Sequence, residues 1–585
     1  MSRAHDRNAW AWIGVLCLCA LGLVLRLRGI GYLLPTVTQL DASVIVHQVE
    51  TMRDGTNASQ NDPQAAYYPQ LLARATSLVP DPRNARETVP ADLAEHLKRA
   101  SDPWTQVRIV SVLLSILAVP GTWLLARRFF SRAWALVAAA LCATSLVHVV
   151  FSSQERPHGT AASFSLLCVL AALRLRRKPD ATAYLAVGVA AGLAIGSLHY
   201  GVFVLPPVAA AIALRERTPQ RASAWWTLAA LVVVALFVRW LYPFHFAQTR
   251  GFFSLEDVGG ERALNLSGQP LFLEKFNGRG FVSVAENLWS YDPLILFSAL
   301  LGVACAVVAM RRGGVAVDRA RRDDLWIVLA YAVPYFVVIG MYAETWERFL
   351  LPLVPYLACL AVFGWRTVLD AVLSRVASGA SRVRLAPAIA FALPALALVP
   401  AVQLGNVRAA PSTMACAAQW VASHAASDDA IVVVPYVDLP LFDGALALEE
   451  NSKRPWMSNW IRYQMTMRQE DASGPRYEVF VVPKPRLEAI RALADDPMGY
   501  FRELHARYVV IDVGSPEDTG LGKAIEALRA SGAPVMRTTP ERVDRGENAT
   551  FLQRHIDHVI ARPFFLFVLG AARMGPTLEI YRLSG

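Results

Sequence analysis

Four groups of ionisable side chains stand at the edges of long apolar blocks. Asp41 lies in LPTVTQLDASV, shortly after the first block. Glu155, Arg156 and His158 lie in FSSQERPHG after the third, His199 and Tyr200 close the fifth in GSLHYG, and Arg348 opens the tenth in ETWERFLLPLVP. A carboxylate at such an edge can take a proton from a hydroxyl or an amine as a general base. Arginine matches phosphate with a planar fork of donors. A site holding both could move a group from a lipid phosphate to a nucleophile. The arginine stabilises the departing phosphate while the carboxylate activates the attacker. Asp41 and Glu155 are therefore the catalytic candidates, with Arg156, His158, His199, Tyr200 and Arg348 as candidates for substrate binding. The plainer reading is that charged ends snorkel to water, and that His and Tyr favour membrane interfaces for amphipathic reasons.

Other chemistry is less well marked. His158, Glu155 and Asp41 could in principle hold a divalent ion. A hydrogen-bonded histidine at the interface is the simpler account, and no metal site is assigned. Tyr68, beside Tyr67 in AAYYPQLL, reads as a sugar contact or as packing. Of the seven cysteines, Cys416 stands alone and the rest fall within apolar blocks, which leaves no disulfide framework and no CxxC metal signature.

The elements that must position these residues are membrane spans. The chain has 585 residues, 55% of them hydrophobic and only 18% charged. Its apolar residues come in blocks of roughly 15–20, the length that crosses a hydrocarbon core. About eleven spans follow. They fall near 9–28, 107–126, 134–151, 161–175, 183–198, 200–214, 225–242, 293–310, 324–342, 348–365 and 385–405. The first follows Arg3 and Arg7 as a signal peptide would, but LRLRG rather than a cleavage site comes after it, so it reads as an uncleaved span. A net charge of +10 would suggest nucleic acid in a soluble protein. Here the basic residues crowd into alternate short loops, around Arg127, Arg174, Arg215, Arg311 and Arg366, and orient the chain instead. The reading is a multi-pass protein of the cell inner (plasma) membrane with those loops and the N-terminus in the cytoplasm. All four groups of candidate residues then face outward, beside two long outer loops, 29–106 and 243–292. The second is long enough to close over a site as a lid, or to serve as a solvated connection.

Past residue 410 the composition changes. AIVVVP (430–435), EVFVVP (478–483), ARYVVIDV (506–513) and LEIYRL (578–583) read as strands, with AQWVASHAA and GKAIEALRA as helices. The expected architecture is a mainly α transmembrane domain over 1–410 and an extracytoplasmic α/β domain over 411–585. The latter holds no Gly-rich phosphate loop and no nucleophile elbow.

Four segments also carry a resemblance. They are Asp41 after the first span, NDPQAAYYPQLLARATSLVP, the run from VRIVSVLLSILAVPG through SSQERPHG to LRLRRK, and GLAIGSLHYGVFVLPP followed later by ERFLLPLVPYLACLAVFG. Their order and spacing resemble the GT-C superfamily of polyprenyl-phosphate-sugar-dependent glycosyltransferases. The bacterial branch related to protein O-mannosyltransferases and lipid A aminoarabinose transferases is the most similar, over about residues 20–365. The resemblance implies an enzyme that inverts the anomeric centre and moves a sugar from a lipid monophosphate to an extracytoplasmic glycolipid, cell-envelope glycan or protein. It implies Asp41 as the general base, and Arg156, Arg108 and Arg348 near the donor phosphate. It fixes no cofactor and leaves a divalent metal open; nucleic acid is not among the expected partners. Many members carry an Asp-Glu pair where Asp41 is followed by Ala42. A non-catalytic glycan-binding relative therefore stays open, as does a lipid-linked glycan transporter. The chain shows neither the internal repeat nor the mid-span charge that transporters use.

Overall fold

A computed structural model describes residues 2–36, 72, 92–215, 221–241, 253–258, 260–266, 269–312, 318–375, 378–427, 429–435, 437–453, 458–466, 474–482, 487–514, 519–544, 546, 549–551 and 563–583. Asp41 and Tyr68 lie outside the described residues.

Each apolar block is helical. Among the described residues seven helices are long and apolar enough to cross a membrane: Ala9–Leu27, Leu93–Ala126, His158–Arg177, Pro293–Arg311, Arg319–Met341, Val354–Leu373 and Ser381–His424. The bent pair Arg132–Thr144 and Leu146–Ser152 makes an eighth. Three shorter apolar helices, Ala181–Ser197, His199–Ala213 and Trp225–Leu236, stand at the remaining expected positions. Close contact between helices is made by small residues. A Cβ on Gly302 would lie 2.2 Å from the Leu360 carbonyl oxygen, and one on Gly364 would lie 2.6 Å from the Gly302 nitrogen. Only glycine lets Pro293–Arg311 and Val354–Leu373 approach this far.

Two boundaries differ from the expectation. The outer loop expected to run to residue 106 is helical from Leu93, because Asp92 caps the helix Leu93–Ser115 by accepting from the Glu95 N–H at 2.9 Å. The expected third span, 134–151, breaks at Ser145 with a bend of 52°. The break exposes the first N–H groups of Leu146–Ser152, which need acceptors. Asp292 supplies them from the other side of the sequence. Its Oδ1 accepts from Leu146 N–H at 2.7 Å, and its Oδ2 accepts from Val147 N–H at 3.1 Å and the Ser145 hydroxyl at 2.8 Å. A carboxylate there also complements the positive end of the helix dipole.

The segment expected as the second long outer loop folds into an antiparallel sheet of Phe253–Val258, Glu261–Leu266 and Gln269–Phe272, followed by the helix Arg279–Tyr291. The C-terminal part forms a six-stranded sheet in the order Phe442–Asp443, Arg476–Val481, Ala430–Val434, Tyr508–Asp512, Leu578–Arg582, Met536–Thr538. The first four strands run parallel and the last two pairings are antiparallel. Ala430–Val434 and Tyr508–Asp512 sit in the middle, which is why they read as unbroken apolar runs. This sheet docks onto the start of Leu93–Ser115. His96 Nδ1 meets the Tyr463 hydroxyl at 3.0 Å, Asn459 donates to the Ala100 carbonyl at 3.1 Å, and Ala100 packs with Phe442 and Trp460.

Candidate functional site

The site residues gather at the end of the bundle that carries the C-terminal sheet. Helices Ser2–Leu27 and Ala392–Ala409 end there, residues 29–36 turn across it, and residues 153–157 link Leu146–Ser152 to His158–Arg177. Arg108 projects into this layer from Leu93–Ser115. Its Nε donates to Glu155 Oε1 at 2.6 Å, and its Nη1 donates to the carbonyls of Ile30 at 2.7 Å and Tyr32 at 2.9 Å. The guanidinium also lies over the Tyr32 ring at 4.0 Å. Glu155 is 2% exposed. Its carboxylate is therefore engaged in holding Arg108 and does not stand open to a substrate.

A second group adjoins the first through residues 155–158. The Tyr200 hydroxyl donates to the His158 carbonyl at 3.0 Å. The His158 ring lies 6.0 Å from that of Tyr200 and 5.6 Å from that of Phe349. His199 packs edge-on against Tyr200, and Arg348 lies 5.4 Å from the centre of the Phe349 ring. Arg156, between the two groups in the chain, acts electrostatically on Tyr32. The structure thus unites Arg108 with Glu155, and His158 with His199, Tyr200 and Arg348. Among the described residues no three His, Cys, Asp or Glu side chains come together as metal ligands.

Three residues of this end were not singled out from the sequence. Asp292 is the carboxylate at the helix break. Arg26 is fully buried, with Nε donating to Ser152 Oγ at 2.9 Å, Nη1 donating to the carbonyls of Gly22 at 2.9 Å and Ala143 at 3.1 Å, and Nη2 3.0 Å from His148 Nδ1. Arg408 stacks on Tyr32 at 4.6 Å. The signal that could have found both arginines is their place inside, not beyond, the last turn of a helix: LRL closing the first span and NVRA closing the last. Among the described residues around Arg108, the arginines Arg26, Arg108, Arg156, Arg348 and Arg408 outnumber Glu155, Asp292 and Glu347, and their combined field favours an anion.

A separate acidic pair lies inside the C-terminal sheet region. Asp438 accepts a short hydrogen bond from Ser458 and one from Leu439 N–H at 2.8 Å. Asp443 lies beside the amides of Asn451 and Gln464, neither of which reaches its oxygens with hydrogen-bond geometry. Burial pushes the Asp438 carboxyl up to about 7. Burial first, and then the neighbouring Asp438 and Glu478 charges, hold Asp443 well above the usual carboxylate range. The folded chain therefore keeps protons that the unfolded chain releases near pH 4. The stabilisation is complete below that pH and is lost as pH rises through about 7. Asp443→Asn should remove the share of this loss that Asp443 contributes, raising stability at pH 8 by about 1–3 kcal/mol and making the fall in Tm between pH 5 and 8 shallower. Thermal unfolding of the two proteins across that range checks it; parallel pH profiles would show that the pair is ionised when folded.

A helical bundle with a cationic end and an appended α/β domain is the architecture to set beside known proteins. Residues 98–242 match the family described as dolichyl-phosphate-mannose-protein mannosyltransferase. This segment contains Arg108, Glu155, Arg156, His158, His199 and Tyr200. The fold is similar to that of the archaeal oligosaccharyltransferase AglB from Archaeoglobus fulgidus, solved with an inhibitory peptide and a dolichol-phosphate. The TM-score is 0.50 at 12% identity, over 91% of this chain and 74% of that one. ArnT from Cupriavidus metallidurans, solved with undecaprenyl phosphate, aligns over 98% of both chains at 14% identity and a TM-score of 0.43. No curated protein matches the chain. At such identities the likeness to solved structures is one of fold. The family match over residues 98–242 agrees with the resemblance to protein O-mannosyltransferases read from the sequence.

Proposed function

We propose that the chain is an inverting glycosyltransferase that moves a sugar from a polyprenyl-phosphate-sugar donor to an extracytoplasmic glycolipid, envelope glycan or protein. The observation that carries this reading is the buried cationic layer at one bundle end, built around Arg108, which lies within the segment that matches the mannosyltransferase family. Asp41 takes the proton from the acceptor hydroxyl or amine. The acceptor atom attacks the anomeric carbon from the face opposite the phosphate, and the bond from that carbon to the phosphate oxygen breaks. Polyprenyl phosphate leaves with the electron pair, and the arginines at this end offset its charge in a site shielded from water. Glu155 acts through Arg108, as its positioning residue. His158, His199, Tyr200, Arg348 and Tyr68 line the donor and sugar positions.

In this reading residues 1–410 perform the transfer and residues 411–585 help to select the acceptor. The N-terminus lies in the cytoplasm and the cationic end faces outward from the inner membrane. The test is donor consumption. The purified chain in nanodiscs is offered a panel of labelled polyprenyl-monophosphate sugars with an envelope extract as acceptor. Release of free polyprenyl phosphate from one of them is the expected result. Binding without release would favour a glycan-binding relative, and movement of intact donor across the bilayer would favour a transporter.

A further inference from the structure

Arg26, Arg108 and Arg408 meet around residues 150–155, and their donors are engaged differently. Arg26 is surrounded by Ser152, His148 and two carbonyls, and Arg108 by Glu155 and two carbonyls. Arg408 differs. Its Nη2 makes one long contact, to the Val150 carbonyl at 3.4 Å, while Nε and Nη1 are shielded from solvent and have no partner among the described residues. The residue is 3% exposed. A buried guanidinium in this state is costly to the ligand-free protein.

Nor is its charge balanced. Arg408 is within electrostatic reach of Arg26 and Arg108. The nearby carboxylate, Glu155, is bonded to Arg108. The position is also tightly built. Gly29 turns with φ +68°, and a Cβ there would lie 2.6 Å from the Arg408 Cβ. The chain of residues 29–36 thus closes over the root of the side chain, which keeps it from swinging out to water.

We propose that Arg408 is a binding residue for the phosphate oxyanion of a polyprenyl phosphate, with its Nε and Nη1 as the donors. The proposal rests on the reading of the site given above. It makes Arg408 a direct phosphate contact, beside the positive charge of Arg108 that Glu155 and two carbonyls hold in place.

The test uses the full chain in nanodiscs of zwitterionic lipid, with polyprenyl monophosphate and inorganic phosphate as separate probes. Arg408→Met keeps the length and packing of the side chain without charge or donors. Without ligand it should melt at or above the wild-type temperature, because a costly group has gone. Its affinity for polyprenyl monophosphate should fall about tenfold to hundredfold, the loss of one charge-assisted contact. Arg408→Lys should recover part of that affinity. Protection of the wild type by inorganic phosphate, lost in Arg408→Met, would show that the site reads the phosphate group alone; protection only by the lipid form would show that the tail is needed. Equal affinity in wild type and Arg408→Met overturns the proposal and leaves the transferase reading standing. A lower melting temperature with unchanged affinity overturns it too, and assigns Arg408 to a structural contact. A wild type that binds neither probe removes both readings.

Discussion

Asp41→Asn will lower the kcat for sugar transfer by roughly 10²–10⁴-fold, the usual contribution of a positioned general base. Donor affinity and Tm will stay close to wild type, because asparagine keeps the shape of the side chain and loses only its capacity to take a proton. The expectation has a geometric basis as well as the resemblance. Arg108 holds the carbonyls of Ile30 and Tyr32, and the described chain runs on to Thr36 at this cationic end. Asp41 is five residues further, about 17 Å of chain at full extension. Turnover of Asp41→Asn within about threefold of wild type, against the loss expected for a base, would remove it from that role.

The second large effect concerns stability. Arg108 and Glu155 form an ion pair with side chains 6% and 3% exposed. Removing one member strands the other's charge where water cannot solvate it. Glu155→Ala should therefore cost about 3–5 kcal/mol. The double variant Arg108→Met, Glu155→Met should recover most of that, since a buried pair replaced by apolar groups of similar volume is often close to neutral. The same double variant should lose transfer activity, because the fixed charge has gone. Thermal unfolding of Arg108→Met, Glu155→Met and the double gives the coupling directly. A loss under about 1 kcal/mol in Glu155→Ala would mean that the pair is wetter than its burial indicates.

The two partners of that pair were not equally visible. Glu155 and Arg156 draw attention because they interrupt apolar sequence, but Arg108 stands 47 residues earlier, and nothing local ties it to Glu155. The helices were legible because hydropathy reports transfer into lipid one segment at a time. Their interruptions were not. Ser145 leaves the apolar average of 134–151 almost unchanged, and the carboxylate that completes the break comes from Asp292, 147 residues away. Leu93–Ser115 began earlier than expected for the converse reason. Its first turns, LAEHLKRASD, are polar and dock on protein, so a hydropathy average passes over them while their cap, Asp92, was legible in principle. The strands of the C-terminal sheet could be read because burial on both faces makes them uniformly apolar. Arg26 and Arg408 look in sequence like ordinary basic flanks. Their place inside the last helical turn is the one sequence hint, and packing shows that they point inward.

Leu93–Ser115 meets the C-terminal sheet at His96 and Ala100 and the ion pair at Arg108. Twelve residues of α-helix separate His96 from Arg108, about 18 Å along the axis. The helix is a lever with one arm in each part of the protein. It cannot transmit stretch, because its hydrogen-bond ladder fixes its length. Pro103 lies between the two arms and removes a rung from that ladder. Were the sheet to shift, Arg108 would feel it as a change of angle about Pro103, and the cationic layer as a rotation of one guanidinium against Glu155.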